Sequence, residues 1–374
     1  MIEYMSDLRA SKLAGLLVDY SVAVQPGDKV VINGGADAGP LLREVYAAVL
    51  KAGGHPLLLV SLPGMDEILY RHATDEQLRF VAPPVKEIME TYDVSISVAS
   101  TDNTRSLSGV DPGKIMLRSQ GRREILDIFM ARAARGELRW TGTLFPTNAY
   151  AQDADMSLTD YEDFVYGACL PDLNDPVGYW RNFSARQQKI IDWLRGKKQV
   201  HIKGQNTDLR LSIAGRVFRN CDGHHNMPDG EIFTGPVEDS LEGHVCFSYP
   251  AIYQGREVTG INLDFAKGKV VQARAGKNEE FLLKMIATDE GSCYAGEFAI
   301  GTNEGIKNFT RQILFDEKIA GSFHLALGSG YPETGSLNKS AIHWDMICNL
   351  REGGEIRVDD ELFYKDGKFV INLP

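Results

Sequence analysis

The sequence predicts an α/β N-terminal domain with a mostly parallel sheet, followed by a β-rich α+β C-terminal domain. Three observations carry this reading. Helical and strand periods alternate as far as Lys197, the period switches to two from Val200 onward, and 374 residues exceed the usual size of one core. The change falls at the turn Gly196 to Gln199, so the domains are expected to be 1–197 and 198–374.

Taken in order, Leu13, Leu16, Leu17 and Tyr20 recur at helical spacing, and Lys29 to Asn33 reads as a short buried strand running into Gly34 and Gly35. A helix follows, with Pro40 in its first turn, Leu41, Val45 and Val49 on one face, and Gly53 with Gly54 as its stop. Strands are expected at Pro56 to Val60 and at Asp93 to Val98, and helices between them give parallel βαβ units. Ser157 and Asp160 have capping-box spacing before a helix bearing Tyr161, Phe164 and Val165, and another helix is expected from Phe183 to Leu194. Beyond Val200, the runs HIKGQNTDLRLSI, INLDFAKGKVVQARA and EIRVDDELFYKDGKFVI alternate apolar and polar residues around Gly-Lys and Asp-Gly turns, the mark of antiparallel hairpins.

Apolar residues make up 43% and charged residues 24%, with both signs interspersed, which is ordinary globular composition. A net charge of −11 argues against a phosphate-binding surface, so nucleic acid is not an expected partner. The first apolar stretch carries Asp7, Arg9, Lys12 and Asp19 and lacks a signal peptide's core, and no later segment is long and apolar enough for a bilayer. The expectation is a cytoplasmic protein without membrane association. Cys169, Cys221, Cys246, Cys293 and Cys348 are odd in number and lack a C-x-x-C pair, which predicts reduced, mostly buried thiols. GGADAG follows the first strand but is not G-x-G-x-x-G, and no ribose-binding acid ends the next strand; a plain turn into a helix accounts for it better than a dinucleotide site.

The C-terminal half carries the chemistry. Glu231 enters a strand after Asp229-Gly230, and Glu297 in CYAGEFAIGTN lies among apolar residues, where a carboxylate is costly unless its charge is compensated. His324 alternates with Phe323 and Leu325, and Tyr331 follows a Gly-Ser-Gly turn. In SAIHWDMIC, His343 and Asp345 are two apart on a strand and so project from one face, with Ile342, Trp344 and Met346 on the other. Each taken alone reads as structure, a strand-end carboxylate or a core histidine. Together, three carboxylates and two imidazoles form the mixed oxygen and nitrogen set that suits paired divalent ions about 3.5–4 Å apart.

These segments, with LAGLLVDYSVAVQPGDKV, MSLTDYEDFV, DLRLSIAGRVF, ILFDEKIAGSFHLALGSGYPE and NKSAIHWDMI, mark a chain that resembles the aminopeptidase T and aminopeptidase S metallopeptidases, the thermophilic aminopeptidase family. The resemblance covers nearly the whole length. It implies metal ligands at Glu231, Glu297, His324, His343 and Asp345, and a catalytic tyrosine at Tyr331. It also implies two divalent ions (Zn, Co or Mn), a peptide or small-amide substrate with a free N-terminus, and a homodimer. The connection from Tyr331 to His343 is shorter than in larger family members, which bears on access and substrate range.

The expected function is removal of the N-terminal residue from peptides by a water that two metals activate. The alternatives are hydrolysis of another small amide, a non-catalytic peptide-binding protein, and a ring-cleaving dioxygenase of the dihydroxypyridine type, in which His324, His343 and Asp345 hold one non-haem Fe(II). A polar turn is the preferred reading of His224 and His225 over one in which they orient Glu231, a solvated charge run is preferred for Asp316-Glu317-Lys318 over an ionic cluster near His324, and His244 reads as a strand residue. His55, His72 and His201 have no partner in local register.

Overall fold

The computed structural model describes residues 7–371, which form two compact units. The first comprises the chain up to Tyr179 together with Gly223–Pro228, and the second comprises Trp180–Asp222 and Asp229 onward. Compactness and secondary structure therefore divide the chain at different points. The helix Pro176–Leu194 begins earlier than its periodicity suggested and buries Ile190, Ile191 and Leu194 in the core of the second unit, ahead of the first hairpin strand at Gln199.

In the first unit, Lys29–Gly35 is the second strand of a five-stranded parallel sheet, between His55–Ser61 at the edge and Val94–Ala99 at the centre. Arg139–Leu144 pairs next, and the two-residue strand Asn226–Met227 closes the sheet after a long excursion of the chain. Val30, Val31 and Ile32 are wholly buried, as both faces of a parallel strand require. The helix Gly39–Lys51 turns Leu41, Leu42, Val45 and Val49 inward and ends at Gly53, whose φ of +84° suits only glycine comfortably. The Ser157 hydroxyl accepts from the Asp160 N–H at 3.1 Å and caps the helix Leu158–Cys169. The further helices between the strands are short, and several bury little, which is why their periodicity is faint.

The second unit is built on antiparallel sheets. An eight-stranded sheet contains the three expected hairpins: Gln199–Gly204 with Thr207–Ser212, Asn262–Ala266 with Lys269–Arg274, and Glu355–Val358 with Glu361–Lys365. The last turns at Asp359 and Asp360, both with positive φ, the conformation of a two-residue type I′ loop. A separate five-stranded antiparallel sheet runs in the order His343–Asn349, Ser322–Gly328, Ala295–Gly301, Glu231–Thr234, Arg219–Cys221. One of its faces supplies Ile232, Phe298, Phe323, Leu325, Trp344 and Met346 to the core. Among the described residues no helix is long and apolar enough to cross a membrane.

Candidate metal centre

The opposite face of that five-stranded sheet gathers the residues singled out in the sequence. Strand alternation places Glu297, Ala299 and Gly301 on one strand, His324, Ala326 and Gly328 on the next, and His343 with Asp345 on the third. Register then brings the functional groups together: Glu297 and Asp345 flank Ala326, His343 lies opposite Gly328, Ala299 opposite His324, and Glu231 opposite Gly301. The same-face positions between these groups are alanine or glycine, so the long side chains converge over a floor of small ones.

The His324 Nε2 atom lies 3.4 Å from Glu231 Oε2, 3.5 Å from Glu297 Oε1 and 3.9 Å from Asp345 Oδ1. His343 Nε2 lies 3.3 Å from Glu297 Oε2 and 3.6 Å from Asp345 Oδ1. Glu297 therefore turns one oxygen to each imidazole. Glu231, Glu297 and His324 form one group with donor atoms within 4.8 Å of one another, and Glu297, His343 and Asp345 form a second. His343 Nδ1 is 2.8 Å from the Ser329 carbonyl oxygen and donates to it when it carries the proton, which leaves Nε2 facing the carboxylates.

Burial and like charge make this cluster electrostatically tense. Glu231 and Glu297 are nearly inaccessible, and burial pushes the Glu231 carboxyl well up despite the opposing charges of Lys318 and His324. Glu297 also feels burial, but the hydrogen-bonding imidazoles of His324 and His343 hold it below the usual carboxylate range. Burial works against a charged His324, yet Glu297, Glu231 and Asp345 raise it to about 9; the same contest, dominated by Asp345 and Glu297, raises His343 to about 12. Glu231 Oε2 and His324 Nδ1 are buried without a hydrogen-bond partner. Oxygen and nitrogen donors in excess negative charge, with orphaned polar atoms among them, suit a divalent cation.

The structure corrects the reading of Asp316-Glu317-Lys318 as a solvated charge run. Asp316 and Lys318 are buried, Lys318 pairs with Glu317 and lies 4.0 Å from Glu231 Oε1, and Glu317 joins His324 and Asp345 in a third donor group. Burial pushes Asp316 up to about 7 even though it accepts from the N–H and hydroxyl of Thr310. Phe315 and Ile319 on either side are buried too, and those flanking apolar residues are the signal that could have separated this run from a surface one.

Gly301 allows that approach. A Cβ there would meet the Ile319 carbonyl oxygen at 2.2 Å and the Lys318 carbonyl carbon at 2.9 Å, so the turn rests directly on the strand. Gly301→Ala is expected to force the two backbones apart and to lower stability by about 1–3 kcal/mol, read as a lower denaturant midpoint. An unchanged midpoint would mean that the turn yields without cost.

Tyr331 stands beside the cluster, 37% exposed, with its ring edge-on between Phe233 at 5.2 Å and His343 at 5.3 Å, centroid to centroid. Its partial burial, with the charges of Glu297 and Asp345, pushes the phenol well up, so the hydroxyl keeps its proton.

Other histidines lie elsewhere. His224 and His225 belong to the first unit, against Tyr20 and Trp140. His201 does have a partner, Asp208 Oδ1 at 2.7 Å on the neighbouring strand, a diagonal contact that local register did not reveal.

The second unit thus presents clustered carboxylates and imidazoles on one sheet face, the donor set of a divalent-metal protein. The comparisons make this specific: the family described as thermophilic metalloprotease (M29) matches residues 6–369, and the chain belongs to it. Aminopeptidase 2 of Geobacillus stearothermophilus is 26% identical, with 96% of this chain and 94% of that protein covered. Aminopeptidase AmpS of Bacillus subtilis is also 26% identical, covering 91% and 92% respectively. The solved structure of wild-type AmpT from Thermus thermophilus shares the fold, with a TM-score of 0.85 at 22% identity over 97% of this chain and 99% of that one. The 2,5-dihydroxypyridine dioxygenase of Pseudomonas putida is more distant, with a TM-score of 0.58 at 13% identity over 97% of each chain.

Proposed function

We propose that this metalloprotease is an aminopeptidase that removes the N-terminal residue of peptides, with two divalent ions held by Glu231, Glu297, His324, His343 and Asp345. The observation that carries the reading is the division of Glu297, whose Oε1 faces His324 at 3.5 Å and whose Oε2 faces His343 at 3.3 Å. A carboxylate so placed is suited to be shared between two ions, whereas a single-ion site built from His324, His343 and Asp345 gives it no part. Glu317, within reach of His324 and Asp345, adds a fourth carboxylate to the donor set. When bound, the ions supply Lewis acidity to a water and to the scissile carbonyl, and zinc, cobalt or manganese would serve.

The chain's own residues do the rest. The Ser329 carbonyl fixes the His343 ring so that Nε2 faces the centre. Tyr331 retains its phenolic proton and donates a hydrogen bond to the oxyanion that forms as the carbonyl is attacked. The small residues Ala299 and Ala326 keep the space above the floor open to a peptide terminus.

Reconstitution of the chelated protein with Zn, Co, Mn or Fe, assayed on leucyl peptides with free and N-acetylated amines, tests the function. Cleavage of the free-amine peptide with two ions per chain is the expected result. Equal cleavage of both peptides would sink the aminopeptidase reading, and activity confined to one oxygen-sensitive iron would favour the dioxygenase chemistry of the more distant structural relative.

Metal uptake should also depend steeply on pH. Without an ion, His324 at about 9 and His343 at about 12 both hold a proton at neutral pH, and an imidazole must lose it to bind a metal. Apparent affinity is therefore expected to rise with pH, by about tenfold per unit for each proton displaced, between about pH 6 and 8. Titration calorimetry in buffers of different ionisation enthalpy counts those protons, and a flat profile would exclude the imidazoles as ligands. A homodimer in the cytoplasm is part of the same proposal, and light scattering at assay concentration tests the association.

A further inference from the structure

Lys318 is wholly buried, an unusual place for an ammonium group, and its surroundings account for it. It pairs with Glu317 and lies 4.0 Å from Glu231 Oε1, while Glu231 Oε2, the other oxygen of the same carboxylate, faces His324 Nε2 at 3.4 Å. Each oxygen of Glu231 thus has a different neighbour, and the ammonium fixes which one is turned to the imidazole.

The backbone that carries Lys318 is held as firmly. Its carbonyl accepts from the Asn303 N–H at 3.1 Å, and the Asn303 side-chain amide donates at 2.7 Å to the carbonyl of Asp229, two residues before Glu231. Thr302 N–H donates to the Gly230 carbonyl at 2.9 Å, so both segments are tied to the same stretch of chain. The ammonium and the carboxylate it faces therefore cannot drift apart independently. On the other side of the cluster, His343 is oriented by the Ser329 carbonyl instead.

We propose that Lys318 is a positioning residue: it holds Glu231 and Glu317 with one oxygen each, and so sets the metal affinity of the His324 half of the centre more strongly than that of the His343 half, which it reaches through Glu317 and Asp345 alone. The inference rests on the two-ion reading above. Two effects of the ammonium oppose each other. A positive charge beside a cation repels it, so repulsion alone would make a neutral residue here tighten metal binding. Groups that orient ligands act the other way, and their loss typically costs about 10–100-fold in affinity.

The test compares wild type, Lys318→Met and Lys318→Arg, each purified with metal, chelated, and titrated with Co(II) by calorimetry and visible absorption. In Lys318→Met one binding step is expected to weaken by about 10–100-fold, with a changed Co(II) band for that ion, and the other to weaken by less than about tenfold. Lys318→Arg, which keeps the charge, is expected to restore most of the loss. Tighter or unchanged binding in Lys318→Met would overturn the proposal, and equal weakening of both steps would reduce Lys318 to a structural support. If Lys318→Met does not fold after chelation, Lys318→Gln retains a donor for Glu231 and is expected to give an intermediate loss; wild-type affinity there also overturns the proposal. A wild-type protein that takes up one ion refutes the two-ion reading separately, and the role of Lys318 is then decided by whether Lys318→Met weakens that ion.

Discussion

Glu297→Gln is expected to strip the protein of both ions and to lower peptide hydrolysis by more than about 1,000-fold. Among the described residues, Glu297 is the one carboxylate whose two oxygens face different imidazoles, so an amide in its place removes a charged donor from both halves of the centre at once. Metal-borne charge stabilisation is worth several kcal/mol in the transition state, and every 1.36 kcal/mol is a factor of ten in rate. Glu231→Gln provides the contrast, because Glu231 reaches His324 and not His343, and one ion should remain. Elemental analysis of the two purified variants decides the matter. Two ions retained in Glu297→Gln would mean that the carboxylate is not shared.

Tyr331→Phe is expected to lower turnover by about 10²–10³-fold, the usual cost of one oxyanion donor, with metal content and KM nearly unchanged. The substitution is clean because the ring is held edge-on by Phe233 and His343, contacts that phenylalanine preserves, so only the hydroxyl is lost. Loss of metal parallel to loss of rate would instead make Tyr331 a ligand or a support of the His343 ring. Steady-state kinetics with metal analysis on the same sample distinguishes the two.

Much of the fold was legible because its signals are local. Pro40, the Leu41-Val45-Val49 stripe and Gly53 mark a helix without reference to anything distant, and the Ser157 cap and the Asp366-Gly367 turn are set within a few residues. The strand Asn226–Met227 was not legible, since two residues carry no period and its partner at Gly142–Thr143 is far away in sequence. The candidate site divides the same way. His343 and Asp345 declare a common face by alternation alone, but their meeting with Glu297 depends on cross-strand register, which only the family resemblance anticipated. Asp316-Glu317-Lys318 was misread because what buries it is the contact with the strand at Gly301, a close approach whose one local sign is the pair of apolar residues, Phe315 and Ile319, on either side.

The floor of the centre has a consequence for how this protein tolerates change. Ala299, Gly301, Ala326 and Gly328 offer no donor atoms, yet a larger side chain at any of them would project into the space where the carboxylates and imidazoles meet or displace the backbone beneath it. In a saturation-mutagenesis map these four positions should be nearly as intolerant as the charged ones, and for volume instead of chemistry. A screen that looked only for reactive residues would pass over half of what defines the cavity.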